Sequence, residues 1–74
     1  MSRRILVTGG SRGIGAAISR AFAGLGDVVA VHCSSSREAA DAVVASLPGQ
    51  GHVVVQADLR DADAVRAMVD AAVA

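Results

Sequence analysis

Apolar and polar positions along this chain alternate between two regimes. Residues 5–7, 28–31 and 52–56 form short runs rich in β-branched side chains, nearly continuous in their apolar character. Such runs suit parallel strands covered on both faces. Between and after them, apolar residues recur at helical spacing. Ile14, Ile18, Ala21, Phe22 and Leu25 fall at i, i+4, i+7, i+8 and i+11. They predict one face of a helix that begins near Gly13 and stops at Gly26. A second helix is predicted after Ser35, which forms an S-x-x-E capping box with Glu38. Its apolar face is Ala40, Val43, Val44 and Leu47, and Pro48-Gly49 ends it. A third is predicted after Asp61 as N-cap, with Val65, Met68, Val69, Ala72 and Val73 along one side.

The order is βαβαβα, an α/β pattern. Right-handed crossovers then give three parallel strands in the order 3-2-1, half of a doubly wound Rossmann-type sheet. The whole of residues 1–74 is expected to be an incomplete, N-terminal segment of such a domain. No glycine, proline or cap closes the third helix, which predicts a truncated fold. Strand one, central in the complete architecture, is expected to present an open, uncharged apolar edge at residues 5–7 and to invite self-association there.

Composition narrows the classes. The chain has 74 residues, 53% of them hydrophobic, and its seven arginines balance seven acidic residues. No basic run is present, which argues against a nucleic-acid partner. The apolar run after the first arginines is too short for a signal-peptide core or a membrane span, so a cytoplasmic protein without a membrane partner is expected. Cys33 is the single cysteine and only His32 and His52 are available beside it, so no metal site is expected. His32 and Cys33 read as packing residues at a strand end, and Asp61 and Asp63 as charges suited to a helix N-terminus.

The chemistry concentrates in Thr8-Gly9-Gly10-Ser11-Arg12-Gly13-Ile14-Gly15, between the first strand and the first helix. Gly9 tolerates the dihedrals of a sharp turn off a strand. Gly13 leaves a helix N-terminus open to a phosphate, and Gly15 lets the helix pack closely on the strand. A mononucleotide P-loop is excluded, since the chain contains no lysine. An NAD site commonly has an acid at the end of strand two, which binds the ribose hydroxyls. Residues 32–36 here are His-Cys-Ser-Ser-Ser, so the carboxylate that would repel a 2′-phosphate is missing. NADP is therefore the expected cofactor, with NAD the second choice. Ser34 and Ser35 could add hydroxyl donors and Arg37 a second charge, although helix capping also accounts for Ser35 and Ser36.

The T-G-x-x-x-G-x-G spacing, Ser-Arg-Gly-Ile-Gly, and Ala57-Asp58-Leu59 after strand three together resemble the short-chain dehydrogenase/reductase family. Among its compact single-domain members, those similar to 3-oxoacyl-(acyl-carrier-protein) reductases are nearest. The resemblance implies an oxidoreductase that transfers hydride between NADP(H) and a carbonyl or alcohol. It implies cofactor contacts at Gly9, Gly10, Ser11, Arg12, Gly13, Ile14, Gly15, Ser34, Ser35, Asp58 and Leu59. Arg12 would pair with the 2′-phosphate, Asp58 would accept from the adenine amino group, and the Leu59 backbone would meet the adenine ring. The family's Ser-Tyr-Lys group, usually helped by an Asn, has no counterpart, because the chain contains no Tyr, Lys or Asn. No catalytic residue is therefore expected within it. The alternative is a free-standing, non-catalytic dinucleotide-binding or interaction module.

Overall fold

Strands form where the β-branched runs lie: β1 at Arg4–Val7, β2 at Val28–Cys33 and β3 at Val53–Gln56. In the computed structural model, which describes residues 3–73 and side-chain burial through residue 70, they make one parallel sheet in the order β1-β2-β3. This is the expected 3-2-1 order read from the opposite edge. β1 lies against the first part of β2, from Arg4 opposite Val28 to Val7 opposite Val31. β3 joins later, from Ala30 opposite Val53 to Cys33 opposite Gln56. β1 begins one residue earlier than expected, so its edge carries the charge of Arg4 rather than being wholly apolar.

Helices α1 (Gly13–Gly24) and α2 (Arg37–Ser46) cover one face, and α3 (Ala62–Val73) covers the other. The two-residue alternation of the strands divides the core accordingly. Val7, Val29, Val31 and Cys33 pack with Ala16, Ala23, Ala40, Val43 and Leu47. On the opposite side, Val55 and Ala57 meet Met68, with Leu6 and Val65 at the margin.

The α2 face is the expected one, with Ala40, Val43 and Leu47 buried and Val44 partly so. For α3, Met68 is buried and Val65 partly buried, whereas Val69 is exposed. Ala72 and Val73 of that predicted face lie outside the residues whose side chains are described. Asp61 caps α3 as its position suggests, its Oδ1 accepting the N–H groups of Asp63 at 3.0 Å and Ala64 at 3.2 Å.

Two expectations fail. The expected stripe of α1 faces outward: Ile14 is 80% exposed and Leu25 72%, with Ile18 and Ala21 also exposed. Of the expected stripe only Phe22 packs against the core, partly buried, while Ala16, Ser19 and Ala23 are buried instead. At 100° per residue these small residues lie opposite the stripe. The cause is proximity. A Cβ on Gly15 would stand only 2.8 Å from the Gly10 Cα, so α1 approaches the turn closely. Against such a surface only small side chains fit, and Ser19 satisfies its hydroxyl by donating to the Gly15 carbonyl at 2.9 Å. The capping box also does not form. Ser36, not Ser35, is the N-cap of α2, and it makes no side-chain cap bond. The Ser35 carbonyl accepts the Arg37 N–H at 3.1 Å instead, which shifts the helix start by one residue.

Beyond α1 the chain closes through a Schellman turn. Gly26, at φ +91°, donates to Ala23, and Asp27 donates to the Phe22 carbonyl at 3.1 Å. Asp27 is buried, and Arg3 clasps it with Nε–Oδ1 at 3.1 Å and Nη2–Oδ2 at 2.8 Å. That hydrogen bonding holds the Asp27 carboxyl below the ordinary carboxylate range. His52 performs a similar join at the start of β3. Its Nδ1 accepts the Val29 N–H at 3.0 Å and its Nε2 meets the Pro48 carbonyl at 2.7 Å.

Candidate functional site

The three parallel strands deliver three connections to one end of the sheet, where doubly wound folds place their ligands. These are the turn of residues 8–12 leading into α1, the residues 34–36 before α2, and the residues 57–61 before α3. All the site residues expected from the sequence fall in these connections or in the first turn of α1.

Four glycines shape the first connection for two different reasons. Gly9 and Gly13 have φ of +63° and +53°, and a Cβ at either would meet nothing within 4 Å. Their requirement is backbone conformation, and the space before them is open. Gly10 and Gly15 are needed for close approach. A Cβ on Gly10 would lie 3.0 Å from the Val7 carbonyl and 3.1 Å from Val31 Cγ1. Gly15 abuts the Gly9–Gly10 backbone rather than the strand itself, which refines its expected role.

The amides of the turn divide in the same way. Gly9 N–H donates to His32 Nδ1 at 2.9 Å, and Gly10 N–H to the His32 carbonyl at 3.0 Å. The helical ladder then starts with Ala16 N–H to the Arg12 carbonyl at 3.3 Å. The N–H groups of Gly13, Ile14 and Gly15 thus stand outside it, at the positive end of the helix dipole. No acidic residue occupies the first turn of α1. The arrangement suits an anion. Ser11 is partly buried within the turn, and Ile14 projects into solvent.

Arg12, the N-cap residue of α1, is exposed and makes no ion pair among the described residues. With Ser35, Ser36, Arg37, Glu38 and Ala39 it lines a cleft of about 470 Å³ between the glycine turn and α2. Two guanidinium groups therefore border the cleft against one carboxylate, and Arg37 reaches Asp41 at 3.3 Å along its own helix. Ser35 belongs to this cleft. Ser34 is exposed beside it, its carbonyl taking a 3.3 Å bond from Gln56 Nε2.

In the third connection the Asp58 carboxylate is engaged by its own turn. Arg60 donates through its backbone N–H (2.9 Å) and Nε (3.1 Å) to Oδ1, and through Nη2 (2.9 Å) to Oδ2. These bonds hold the Asp58 carboxyl below its ordinary range. A carboxylate offers about four acceptor positions, so roughly one, on Oδ2, is left for a further donor. Leu59 beside it is exposed.

One residue central to the site reads from sequence only as packing. His32 is 2% exposed, and its side chain bridges the first and third connections. The available signal was a histidine inside the most apolar strand, since a buried polar ring needs partners. Among the described residues no group of three or more His, Cys, Asp or Glu could hold a metal, and no helix is long and apolar enough to cross a membrane.

The family model described as short chain dehydrogenase matches residues 3–74. The chain belongs to the short-chain dehydrogenase family. A versicolorin reductase of Emericella nidulans is 47% identical over 70 residues, covering 92% of this chain and 26% of that protein. A 3-oxoacyl-(acyl-carrier-protein) reductase of Staphylococcus aureus is 44% identical over 71 residues, or 93% of this chain and 29% of the other. Among solved structures, a short chain dehydrogenase from Burkholderia cenocepacia in complex with NADP aligns at TM-score 0.89 and 49% identity, covering 95% and 29% of the two chains. An alternative dihydrofolate reductase from Brucella suis, also in complex with NADP, aligns at TM-score 0.85 and 40% identity over 95% and 28%. The chain spans less than a third of the length of these short-chain dehydrogenase relatives.

Proposed function

We propose that this chain is the NADP(H)-binding segment of an oxidoreductase that transfers hydride between NADP(H) and a carbonyl or alcohol. The observation that carries the reading is the cleft at the end of β2. Arg12, Ser35 and Arg37 line it, and no carboxylate occupies residues 32–36. The two related structures that hold NADP support the same choice. Glu38 borders the cleft from the first turn of α2, where the helix dipole favours it.

The residues fit the group. Open space before Gly13 admits a pyrophosphate to the amides of Gly13, Ile14 and Gly15. Arg12 is available to pair with the 2′-phosphate, and the Ser35 hydroxyl to donate to it. The remaining acceptor position of Asp58 suits the adenine amino group, with Leu59 beside the ring. The bound nicotinamide supplies or receives the hydride. With no Tyr, Lys or Asn, the 74-residue chain binds and orients the cofactor without carrying the proton chemistry itself. We place it in the cytoplasm, where Cys33 remains a thiol.

The test is titration of NADPH and NADH against Arg12→Ala in the intact oxidoreductase. NADPH binding weakens by roughly 1.5–3 kcal/mol, the value of a charge-assisted hydrogen bond, while NADH binding hardly changes. Equal losses for the two cofactors overturn the assignment of Arg12.

A further inference from the structure

We propose that His32 is a positioning residue, whose imidazole locks the glycine turn and the turn after β3 into one cofactor-receptive frame. The inference rests on the dinucleotide reading of the site and adds a residue that touches no part of the ligand.

The ladder between β1 and β2 ends at Val7 opposite Val31, and that between β2 and β3 at Cys33 opposite Gln56. Beyond these points the connections need other partners. His32 provides three of them. Its carbonyl accepts the Gly10 N–H at 3.0 Å, its Nδ1 accepts the Gly9 N–H at 2.9 Å, and its Nε2 lies 2.9 Å from the Ala57 carbonyl. A backbone N–H can only donate and a carbonyl can only accept. The ring must therefore be the neutral tautomer with its proton on Nε2, accepting at Nδ1 and donating at Nε2.

The consequence is geometric. Gly9 opens the turn that presents the Gly13–Gly15 amides, and Ala57 immediately precedes Asp58. One rigid ring, 2% exposed and bonded at both nitrogens, sets the spacing between these two ligand-facing segments. Among the described residues no other side chain bonds to both. An apolar side chain of similar size would fill the volume, but it would leave the Gly9 N–H and the buried Ala57 carbonyl without partners. Gly9, at φ +63°, would then lose the bond that holds its unusual conformation in place.

Three variants of the full chain separate the contributions. His32→Leu removes both side-chain bonds. His32→Asn keeps an acceptor near the Nδ1 position, and His32→Gln keeps a donor near that of Nε2. Val29→Ala, buried in the same strand and bonded to neither turn through its side chain, serves as the stability control. NADPH affinity is read by fluorescence titration and corrected for the folded fraction from a urea melt. The N–H···N bond itself is read as an NMR coupling between the Gly9 amide nitrogen and His32 Nδ1.

The expected result is a measurable coupling in the wild-type chain and NADPH binding about tenfold weaker in His32→Leu, the cost of leaving such groups unpaired. His32→Asn and His32→Gln fall between the two, and Val29→Ala loses stability at unchanged affinity. Wild-type affinity in folded His32→Leu overturns the inference, as does an equal loss in Val29→Ala. Should His32→Leu fail to fold, undiminished affinity in both His32→Asn and His32→Gln overturns it. An oxidoreductase carrying this segment that shows the coupling but takes up no NADPH overturns the dinucleotide reading, and the inference with it.

Discussion

Adding one methyl group at two places in α1 should move stability in opposite directions. A Cβ on Gly15 would stand 2.8 Å from the Gly10 Cα and 2.9 Å from the Gly9 carbonyl carbon. Carbon atoms prefer about 3.5 Å or more, so the deficit is roughly 0.6–0.7 Å against main-chain atoms that cannot rotate aside. Either α1 moves off the sheet or the turn opens. Overpacking of this kind costs roughly 1–3 kcal/mol, against a helix-propensity gain of up to about 1 kcal/mol. Gly15→Ala should therefore destabilise the chain by up to about 2 kcal/mol net. Gly24 is in the same helix with no positive φ, and its added Cβ meets nothing within 4 Å. Gly24→Ala should accordingly stabilise by about 0.5–1 kcal/mol. Urea melts followed by far-UV circular dichroism measure both. For a domain this small, with roughly 3–5 kcal/mol in total, the separation is a large fraction of the whole. NADPH affinity should fall in Gly15→Ala, because either movement displaces the amides at the start of α1 from the glycine turn, and stay level in Gly24→Ala. Equal stability of the two variants would refute the close-approach account of α1.

Capping gives a second paired test: Asp61→Ala should cost about 1 kcal/mol, whereas Ser36→Ala, which removes no cap bond, should cost far less in the same melts. The Arg3–Asp27 pair sets a dependence on acid. Because the folded Asp27 pKa lies below its unfolded value, its contribution is present above about pH 4 and is lost as pH falls through the folded pKa. The stability difference between wild type and Arg3→Ala should therefore shrink on acidification, and a difference that widens would contradict the pairing. Finally, β1 pairs only with β2 among the described residues, and the Ile14, Ile18 and Leu25 stripe is exposed nearby. The isolated chain should self-associate in sedimentation at rising concentration, and a monomer throughout with a steep, strong unfolding transition would dismiss the open edge.

Periodicity located every element of this fold, and its one serious error is instructive. Along α2 and its C-cap, the apolar residues Ala40, Val43 and Leu47 at i, i+3 and i+7 pack on the sheet, so the side that is most apolar is the side that is buried. In α1 the first turn abuts the glycine turn at short distance, which holds the rest of the helix close to the sheet. Burial there is decided by size, and Ala16, Ser19 and Ala23 win over Ile14, Ile18 and Leu25. The clue available in the chain was Gly15 followed by small residues at the buried spacing, a pattern of close approach that hydrophobicity alone does not weigh. The shift from Ser35 to Ser36 at the start of α2 has a comparable origin, since two adjacent serines give the sequence no means of choosing which ends the extended segment.

The candidate site was legible to the extent that glycines and a missing acid specify it. The positive φ of Gly9 was expected from the turn, whereas Gly13, expected only to leave room for a phosphate, takes a positive φ as well, and the cleft beside Arg12 is lined by Ser35 and Ser36 with no acid at residues 32–36. What the sequence could not display was how polar groups already use one another. Asp58 reads as an acceptor for a ligand, yet Arg60, two residues on, takes three of its acceptor positions. His32 reads as packing, yet it carries the bonds that ladders on either side of β2 leave unmade. Both depend on a distance across the sheet end or on a rotamer within a turn, and neither is encoded in spacing along the chain. A carboxylate held by its own arginine is also a fixed acceptor, oriented before any ligand arrives. The ion pair that limits Asp58 to about one further hydrogen bond therefore also determines which oxygen, Oδ2, can make it.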